Sequence, residues 1–424
     1  MINKDYFKGK AIAIVGLAKS GLSCANLLHN LGARVSVTDN LDNDSTRLNA
    51  QKLKSPRIKF ELGRHSHKFI KGRDMVVVSP GVPDNASPIA WAKEEGIPVI
   101  SEIEVAGIIC PGTIIAVTGS NGKTTVTTLI AKILKKAGKK VFTCGNIGNP
   151  FCGEVRRIKK DDFVVLEVSS FQLEKTDSFK PRVSVILNFC RNHLDRYKDM
   201  REYLEAKKRI FKNQDKGDFL VLNADDQRLK GLARGQKVKV VNFTKTAKFN
   251  PNQAAVVKVV SIFGIKQDLC AKVFKEFKGI EHRMEYVGVL NKVKFINDSK
   301  ATTAESTVWA LENINSRIIL IAGGKHKGVD YSLVLAQARK KVKRAILMGE
   351  ARDKIKQAFK KTLPVDYALS MEEAVKKAYL NAAAGDCVLL SPMCSSFDMF
   401  ISYEDRGRVF KKTVNRLIKR ECAR

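Results

Sequence analysis

Acidic charge, patterned cysteine and long apolar runs are all scarce in these 424 residues. No uninterrupted apolar run approaches the ~18–20 residues that span a bilayer, which excludes a membrane-inserted helix. The segment MINKDYFKGK carries no apolar signal core, so the expected location is cytoplasmic. Nine cysteines make an odd, scattered set with no C-x-x-C, which reads as reduced thiols of the cytosol. Acidic residues number 43 against 76 lysines and arginines, a formal net charge of +33. Such an excess suits nucleic acid, an acidic membrane or a polyanionic small substrate. The basic residues are spread along the chain without a basic arm, so they read as a solvated lysine-rich surface. Specific nucleic-acid binding is not expected, although non-specific RNA association at low salt is. No repeat at a solenoid period is present. What remains, 44% hydrophobic and 28% charged residues, is the composition of a soluble globular protein. At roughly 100–200 residues per domain, the length allows two to four domains.

The stretch Ile114–Thr125 organises the chain: an apolar β-branched run, a glycine turn, Gly-Lys-Thr-Thr, then a helical pattern over 126–137. Glycines let backbone N–H groups converge on an anion without Cβ clash. The helix N-terminus adds its positive dipole end. Thr118, Gly119, Ser120, Asn121, Gly122, Lys123, Thr124 and Thr125 then form a nucleotide phosphate cradle. Lys123 is placed for the terminal phosphates and the Thr124 hydroxyl for Mg²⁺. Val117 stands where the strict G-x-x-x-x-G-K-[ST] pattern has its first glycine, so the loop is a shortened form.

Upstream, KAIAIV (10–15) predicts a buried parallel strand, followed by Gly16-Leu17-Ala18-Lys19-Ser20-Gly21, a helix over 22–31 and a strand ending at Asp39. This βαβ unit nearly matches the dinucleotide fingerprint, with Ala18 at the middle glycine. It points to a phosphate-bearing ligand on the first helix, with Asp39 placed for a ribose hydroxyl, and it does not specify a nicotinamide cofactor. Strands over 58–61, 74–79 and 98–101 complete a first domain. The second of these runs into Ser79-Pro80-Gly81, at a strand end where open α/β sheets bind ligands.

Further buried strands are predicted over 140–143, 163–168, 183–187 and 219–223, with helices over 203–213, 254–263 and 271–277. The stretch from Asn223 to Asn252 reads as irregular. Glu167 ends an apolar strand, and a carboxylate there is costly to bury without a cation. His193 also follows a strand end. Thr124, Glu167 and His193 therefore suit Mg²⁺ bridging phosphate oxygens. A last region alternates again, with strands over 293–297, 317–322, 344–349 and 386–390 and a helix over 306–311. In the C-terminal helix Phe410, Val414, Leu417 and Ile418 share one face, with Lys411, Lys412, Lys419 and Arg420 on the other.

These motifs in this order resemble the Mur ligase family of ATP-dependent, amide-forming ligases, over nearly the whole chain. TGSNGKTT (118–125), EVSSFQLE (167–174), NHLDRY (192–197) and GGKHKG (323–328) each resemble a family landmark. GLAKSGLS (16–23) with SPGVP (79–83), DSKATT (298–303), and LLSPMCSSFDMF (389–400) followed by YEDRG (403–407) are similar to the D-glutamate-adding branch. The resemblance implies an α/β protein of three domains. Residues 1–101 would be a Rossmann-like domain for the UDP substrate. Residues 102–280 would be a central P-loop-type ATPase domain with a mainly parallel sheet. Residues 281–424 would be a Rossmann-like domain for the incoming amino acid.

The implied substrates are ATP, UDP-N-acetylmuramoyl-L-alanine and D-glutamate, in cytoplasmic peptidoglycan precursor synthesis by a monomer. A carboxylate attacks the γ-phosphate, and the D-glutamate amine then attacks the acyl phosphate. Both steps build negative charge that preplaced cations and N–H groups must meet. By resemblance, Lys123, Glu167, His193 and Lys207 are catalytic. Thr124, Glu167 and His193 would hold two Mg²⁺ ions, with Lys207 as a carbamate formed from CO₂ helping to hold the second. Arg283 and Asp298 would contact ATP. Gly16, Leu17, Ala18, Lys19, Ser20, Asp39, Ser79, Pro80, Gly81 and Asn146 would contact the UDP substrate. Lys300, Thr302, Lys327, Ser396 and Tyr403 would surround the glutamate, with Lys327 and Ser396 on its two carboxylates.

The chain departs from the family pattern in places. The segment 223–252 is short, and the usual H-N-x-x-N reads KFNPN at 248–252. Lys325 stands where the glycine-rich loop usually has an acid, and Tyr403 where a Phe is usual. The alternatives are a sister ligase adding another amino acid and a basic nucleic-acid-binding NTPase. Folylpolyglutamate synthases lack such an N-terminal domain, and nothing positions a hydride acceptor for an oxidoreductase.

Overall fold

A computed structural model describes residues 5–190, 197–232, 234–326, 328–360 and 362–422. Three sheets carry the fold. The first contains β1 (Ala11–Val15), β2 (Arg34–Asp39), β3 (Lys59–Leu62), β4 (Met75–Val78) and β5 (Val99–Ser101). All its pairs are parallel, in the order β3-β2-β1-β4-β5. The second contains β6 (Thr113–Thr118), β7 (Val141–Gly145), β8 (Phe163–Glu167), β9 (Val183–Ile186), β10 (Phe219–Asn223) and β11 (Lys239–Phe243). It is also wholly parallel, in the order β11-β10-β9-β6-β8-β7. The third contains β12 (Glu285–Leu290), β13 (Val293–Asn297), β14 (Ile318–Gly323), β15 (Val342–Met348), β16 (Val365–Tyr367) and β17 (Cys387–Leu390). Its order is β12-β13-β17-β14-β15-β16, with only β12 antiparallel.

The first two sheets lie in one compact unit, Met1–Phe277, and the third in another, Lys278–Arg424. The helix Glu102–Ile109 joins the first two sheets. Its apolar run EIEVAGII lacks a polar face, so no amphipathic period announces it. Both of its acids are buried, 2% exposed each. Glu102 accepts the backbone N–H of Cys152. Glu104 accepts those of Asp177, Ser178 and Phe179 at 2.8–3.0 Å. A buried carboxylate needs such donors, and here they stitch the connector onto the second sheet's loops. Burial still dominates at Glu102 and pushes its carboxyl up to about 7.

Strands buried on both faces read as continuous apolar runs, and these match expectation closely. Three edge strands do not. β11 has mostly exposed side chains, so the stretch expected to be irregular pairs with β10 instead. β12 is a half-exposed edge, and β16 is three residues long. The helix Arg352–Phe359 was equally illegible, because it buries only Ile355 and Phe359. The helix after the phosphate loop begins at Lys123, three residues before the expected start at Val126. Lys123, Thr124 and Thr125 therefore form its first turn.

Candidate active site

At the centre of the second sheet, β6 lies between β9 and β8, where the strand order reverses. Ligands of open α/β sheets bind outside the strand ends at such a point. The loop after β6 is held from both sides. The Asn188 carboxamide accepts the Asn121 N–H at 2.8 Å and donates to the Asn121 carbonyl at 3.1 Å. The Ser120 hydroxyl accepts the Cys190 N–H at 3.0 Å. Gly122 caps the helix at φ +82, and a Cβ there would lie 2.5 Å from Asn252 Oδ1. Only glycine meets both demands. The carboxamide of Asn252, last residue of KFNPN, is thus placed against the loop.

Lys123 is the first residue of the helix Lys123–Lys136, and its ammonium donates to the Gly119 and Ser120 carbonyls at 2.9 and 3.0 Å. Lys207, on the helix Met200–Lys208, donates to the same Gly119 carbonyl at 3.2 Å. Its side chain is 1% exposed, and its amine sits 4.5 Å from the Tyr203 ring centre. Burial, reinforced by the charge of Lys123, holds the Lys207 amine well below the usual lysine range. A buried amine biased toward its neutral form is chemically distinct from a solvated helix lysine.

Glu167 ends β8, paired in register with Val117 of β6. Asn146 donates to its Oε1 at 2.9 Å. The other oxygen, Oε2, is buried with no hydrogen-bond partner among the described residues. An unsatisfied buried carboxylate oxygen beside a phosphate loop fits a cation ligand. Thr124 is 5% exposed in the same first helical turn. His193 lies outside the described residues.

In the first sheet, β1 and β4 flank the corresponding switch point. Gly16 takes φ +93, and a Cβ on Gly21 would meet the Gly16 carbonyl at 1.8 Å. The turn and helix therefore approach as only glycine allows. The helix begins at Lys19, with Ser20 in its first turn and Ala18 as its cap. The Ser79 hydroxyl donates to the Gly16 carbonyl at 3.0 Å, which brings Ser79, Pro80 and Gly81 to the same edge. Asp39 has a use within the turn itself. Its two oxygens accept the N–H groups of Leu17 (2.6 Å) and Leu41 (2.9 Å). It fastens the turn, whatever else it contacts.

In the second unit, Arg283 sits between His282 (φ +64) and Met284 (φ +47). Asp298 accepts the Met284 N–H at 3.2 Å and the Ser391 hydroxyl at 3.0 Å. Burial pushes its carboxyl up to about 7, against the pull of those donors and of Arg283. The loops after β13, β14 and β17 meet at Arg406, 1% exposed. Its guanidinium donates to the Ser299 hydroxyl and carbonyl (2.9 and 2.8 Å) and to the Cys394 and Ser395 carbonyls (3.1 and 3.3 Å). That hub gathers the expected glutamate residues. Lys300 and Thr302 follow β13, and buried Ser396 follows β17. Tyr403 opens the last helix with its ring 5.9 Å from the Lys300 ammonium. Lys327 lies outside the described residues.

Family models match in three consecutive parts: a Mur ligase MurD-like N-terminal domain over 10–101, a Mur ligase middle domain over 117–291, and a Mur ligase glutamate ligase domain over 282–394. A UDP-N-acetylmuramoylalanine–D-glutamate ligase of Thermoanaerobacter sp. (strain X514) is 38% identical, covering 97% of this chain and 99% of the relative.

The chain belongs to the Mur ligase family.

A ligase of the same description from Clostridioides difficile (strain 630) is 39% identical over 97% of this Mur ligase and 99% of its own length. Among solved structures, UDP-N-acetylmuramate-alanine ligase from Thermotoga maritima is similar with a TM-score of 0.59 at 17% identity, covering 96% of this chain and 99% of that one. A MurF ligase of the same organism in complex with ADP gives 0.58 at 16%, covering 98% and 97%. Those structures show the shared fold.

Reading this Mur ligase from sequence missed three working residues. Asn188 clamps the phosphate loop, and its only signal was its place after an apolar strand. Glu102 carried none. Arg406 carried a clear one, because it lies four residues before Phe410 on the apolar stripe of the last helix.

Proposed function

We propose that this Mur ligase joins D-glutamate to UDP-N-acetylmuramoyl-L-alanine at the expense of ATP, in peptidoglycan precursor synthesis in the cytoplasm. The observation that carries this reading is the match, at 36–39% identity over 96–98% of the chain, to relatives named for that ligation. The net charge of +33 favours encounter with its polyanionic substrates. Among the described residues no helix is long and apolar enough to cross a membrane.

The functional division is 1–101 for the UDP substrate, 102–280 for ATP and 281–424 for the amino acid. The Gly16–Ser20 turn, Asp39 and the Ser79–Gly81 turn hold the UDP moiety. Thr118–Thr125 wraps the ATP phosphates, with Arg283 and Asp298 as further contacts. Lys123 releases the loop carbonyls and turns to the transferred phosphoryl group, where its charge meets the charge built on the equatorial oxygens. Thr124, Glu167 and His193 would hold Mg²⁺. Bound Mg²⁺ supplies charge neutralisation at phosphate oxygens. Asn146 keeps the Glu167 carboxylate oriented. The neutral Lys207 amine is the form that adds to CO₂, forming an N–C bond and losing a proton. The resulting carbamate would put an anion where the neutral amine stood. Lys300, Thr302, Ser396, Tyr403 and Lys327 receive D-glutamate.

The test uses purified protein with ATP, Mg²⁺ and both substrates, and detects UDP-N-acetylmuramoyl-alanyl-glutamate by mass. The expected result is that product together with D-glutamate-dependent phosphate release. Release with L-lysine or diaminopimelate and none with D-glutamate would reject this reading for that of a sister ligase. ATP hydrolysis stimulated by RNA and indifferent to UDP-sugars would reject it for that of a nucleic-acid-binding NTPase.

A further inference from the structure

One side-chain chain in the second unit is not used by the roles above. His326, in the loop after β14, places Nδ1 3.0 Å from the Tyr331 hydroxyl. That hydroxyl lies 3.2 Å from Cys394 Sγ. Tyr331 is 4% exposed and Cys394 1%, whereas His326 is half-buried. Burial pushes the Cys394 thiol up to about 11 and raises the Tyr331 phenol as well. Both therefore keep their protons at neutral pH. Nδ1 is thereby engaged by the Tyr331 hydroxyl, which leaves Nε2 as the ring nitrogen that can meet a ligand. His326 is then held in one ring orientation.

The backbone brings this ring to the amino-acid end of the site. The Lys325 N–H donates to the Ser395 carbonyl at 2.9 Å, an antiparallel bridge that draws the His326 loop onto the Cys394–Ser396 segment. Lys325 and His326 precede Lys327 without an intervening acid, which suits a substrate with two carboxylates.

We propose that His326 is a specificity-determining residue for the dicarboxylic amino acid, contacting its side-chain carboxylate through Nε2 while Tyr331 and Cys394 position the ring. This rests on the ligase reading above. The bland alternative is a histidine that merely staples its own loop.

The experiment measures KM and kcat for each of the three substrates in the full-length chain. His326→Ala is expected to raise KM for D-glutamate about tenfold, the usual worth of one hydrogen bond to a charged group. KM for ATP and for the UDP substrate, and kcat, should stay within twofold. His326→Gln, whose Nε2 reaches the same place, is expected to recover most of the loss. Tyr331→Phe, which frees the ring, is expected to raise the same KM about threefold. An unchanged D-glutamate KM in His326→Ala, or an equal rise for all three substrates, would overturn the proposal alone. An unaltered chain that releases no phosphate with D-glutamate would instead overturn the ligase reading beneath it.

Discussion

Two glycine turns of the first unit invite comparison, one after β1 and one after β6. Each opens onto a helix N-terminus where the strand order reverses. The ties beneath them differ in charge. Under the first, the Asp39 carboxylate takes the N–H groups of Leu17 and Leu41. Under the second, the ties are neutral, an amide at Asn188 and a hydroxyl at Ser120, and two lysine amines share the Gly119 carbonyl. An acid below a turn lowers its attraction for phosphate, whereas neutral ties and cations raise it. At ~4 Å near a surface one charge is worth on the order of 4 kcal/mol. Under the function proposed above, the same backbone device would hold a sugar nucleotide at one sheet and concentrate charge for phosphoryl transfer at the other.

Lys123→Met would break the comparison most severely, since it makes the second turn resemble the first. Phosphate release should fall on the order of 10³-fold, with little change in melting temperature. A loss below tenfold would mean that the lysine contributes no more than a phosphate contact at the first turn.

The connector between the two sheets comes next. Glu102 holds its proton more tightly folded than unfolded, with its carboxyl raised from 4.5 to about 7 by burial. Its stability contribution is therefore whole below about pH 4.5 and is lost as pH rises through about 7. Glu102→Gln, already neutral, should escape that loss, which is on the order of 3 kcal/mol. Thermal melts of both proteins at pH 5 and pH 8 check it: the variant's advantage should grow with pH. An advantage that shrinks would show that the Cys152 and neighbouring N–H groups hold the carboxylate charged.

Asp39→Asn is the mildest test. It keeps the shape but leaves one N–H of the first turn without its acceptor. KM for the UDP substrate should rise about tenfold with kcat unchanged. A fall in KM would mean that relief of repulsion at the pyrophosphate outweighs the lost tie.

Legibility followed burial. β6, β8, β9, β10 and β14 are apolar on both faces, so their runs named them as strands, and the ends of β6, β8 and β9 pointed to the site. Thr124, Lys123 and Glu167 follow directly from that reading. β11 and β12 lie at sheet edges with exposed side chains, so no apolar run marks them. Asn188 and Arg406 act on backbone groups that are distant in the chain, so sequence position marks each residue and not its partners.

From its residues alone the chain determined which strands are central, which glycines turn, and which basic and acidic groups stand at strand ends, because sterics and apolar burial act over a few neighbours. Tertiary structure decided what those groups do to one another. Folding placed the Lys207 amine beside Lys123 and away from water, left one Glu167 oxygen without a hydrogen bond among the described residues, and took Asp39 into its own turn. Charge state depends on dielectric and on neighbours 40 or 80 residues away, and no spacing rule carries that information.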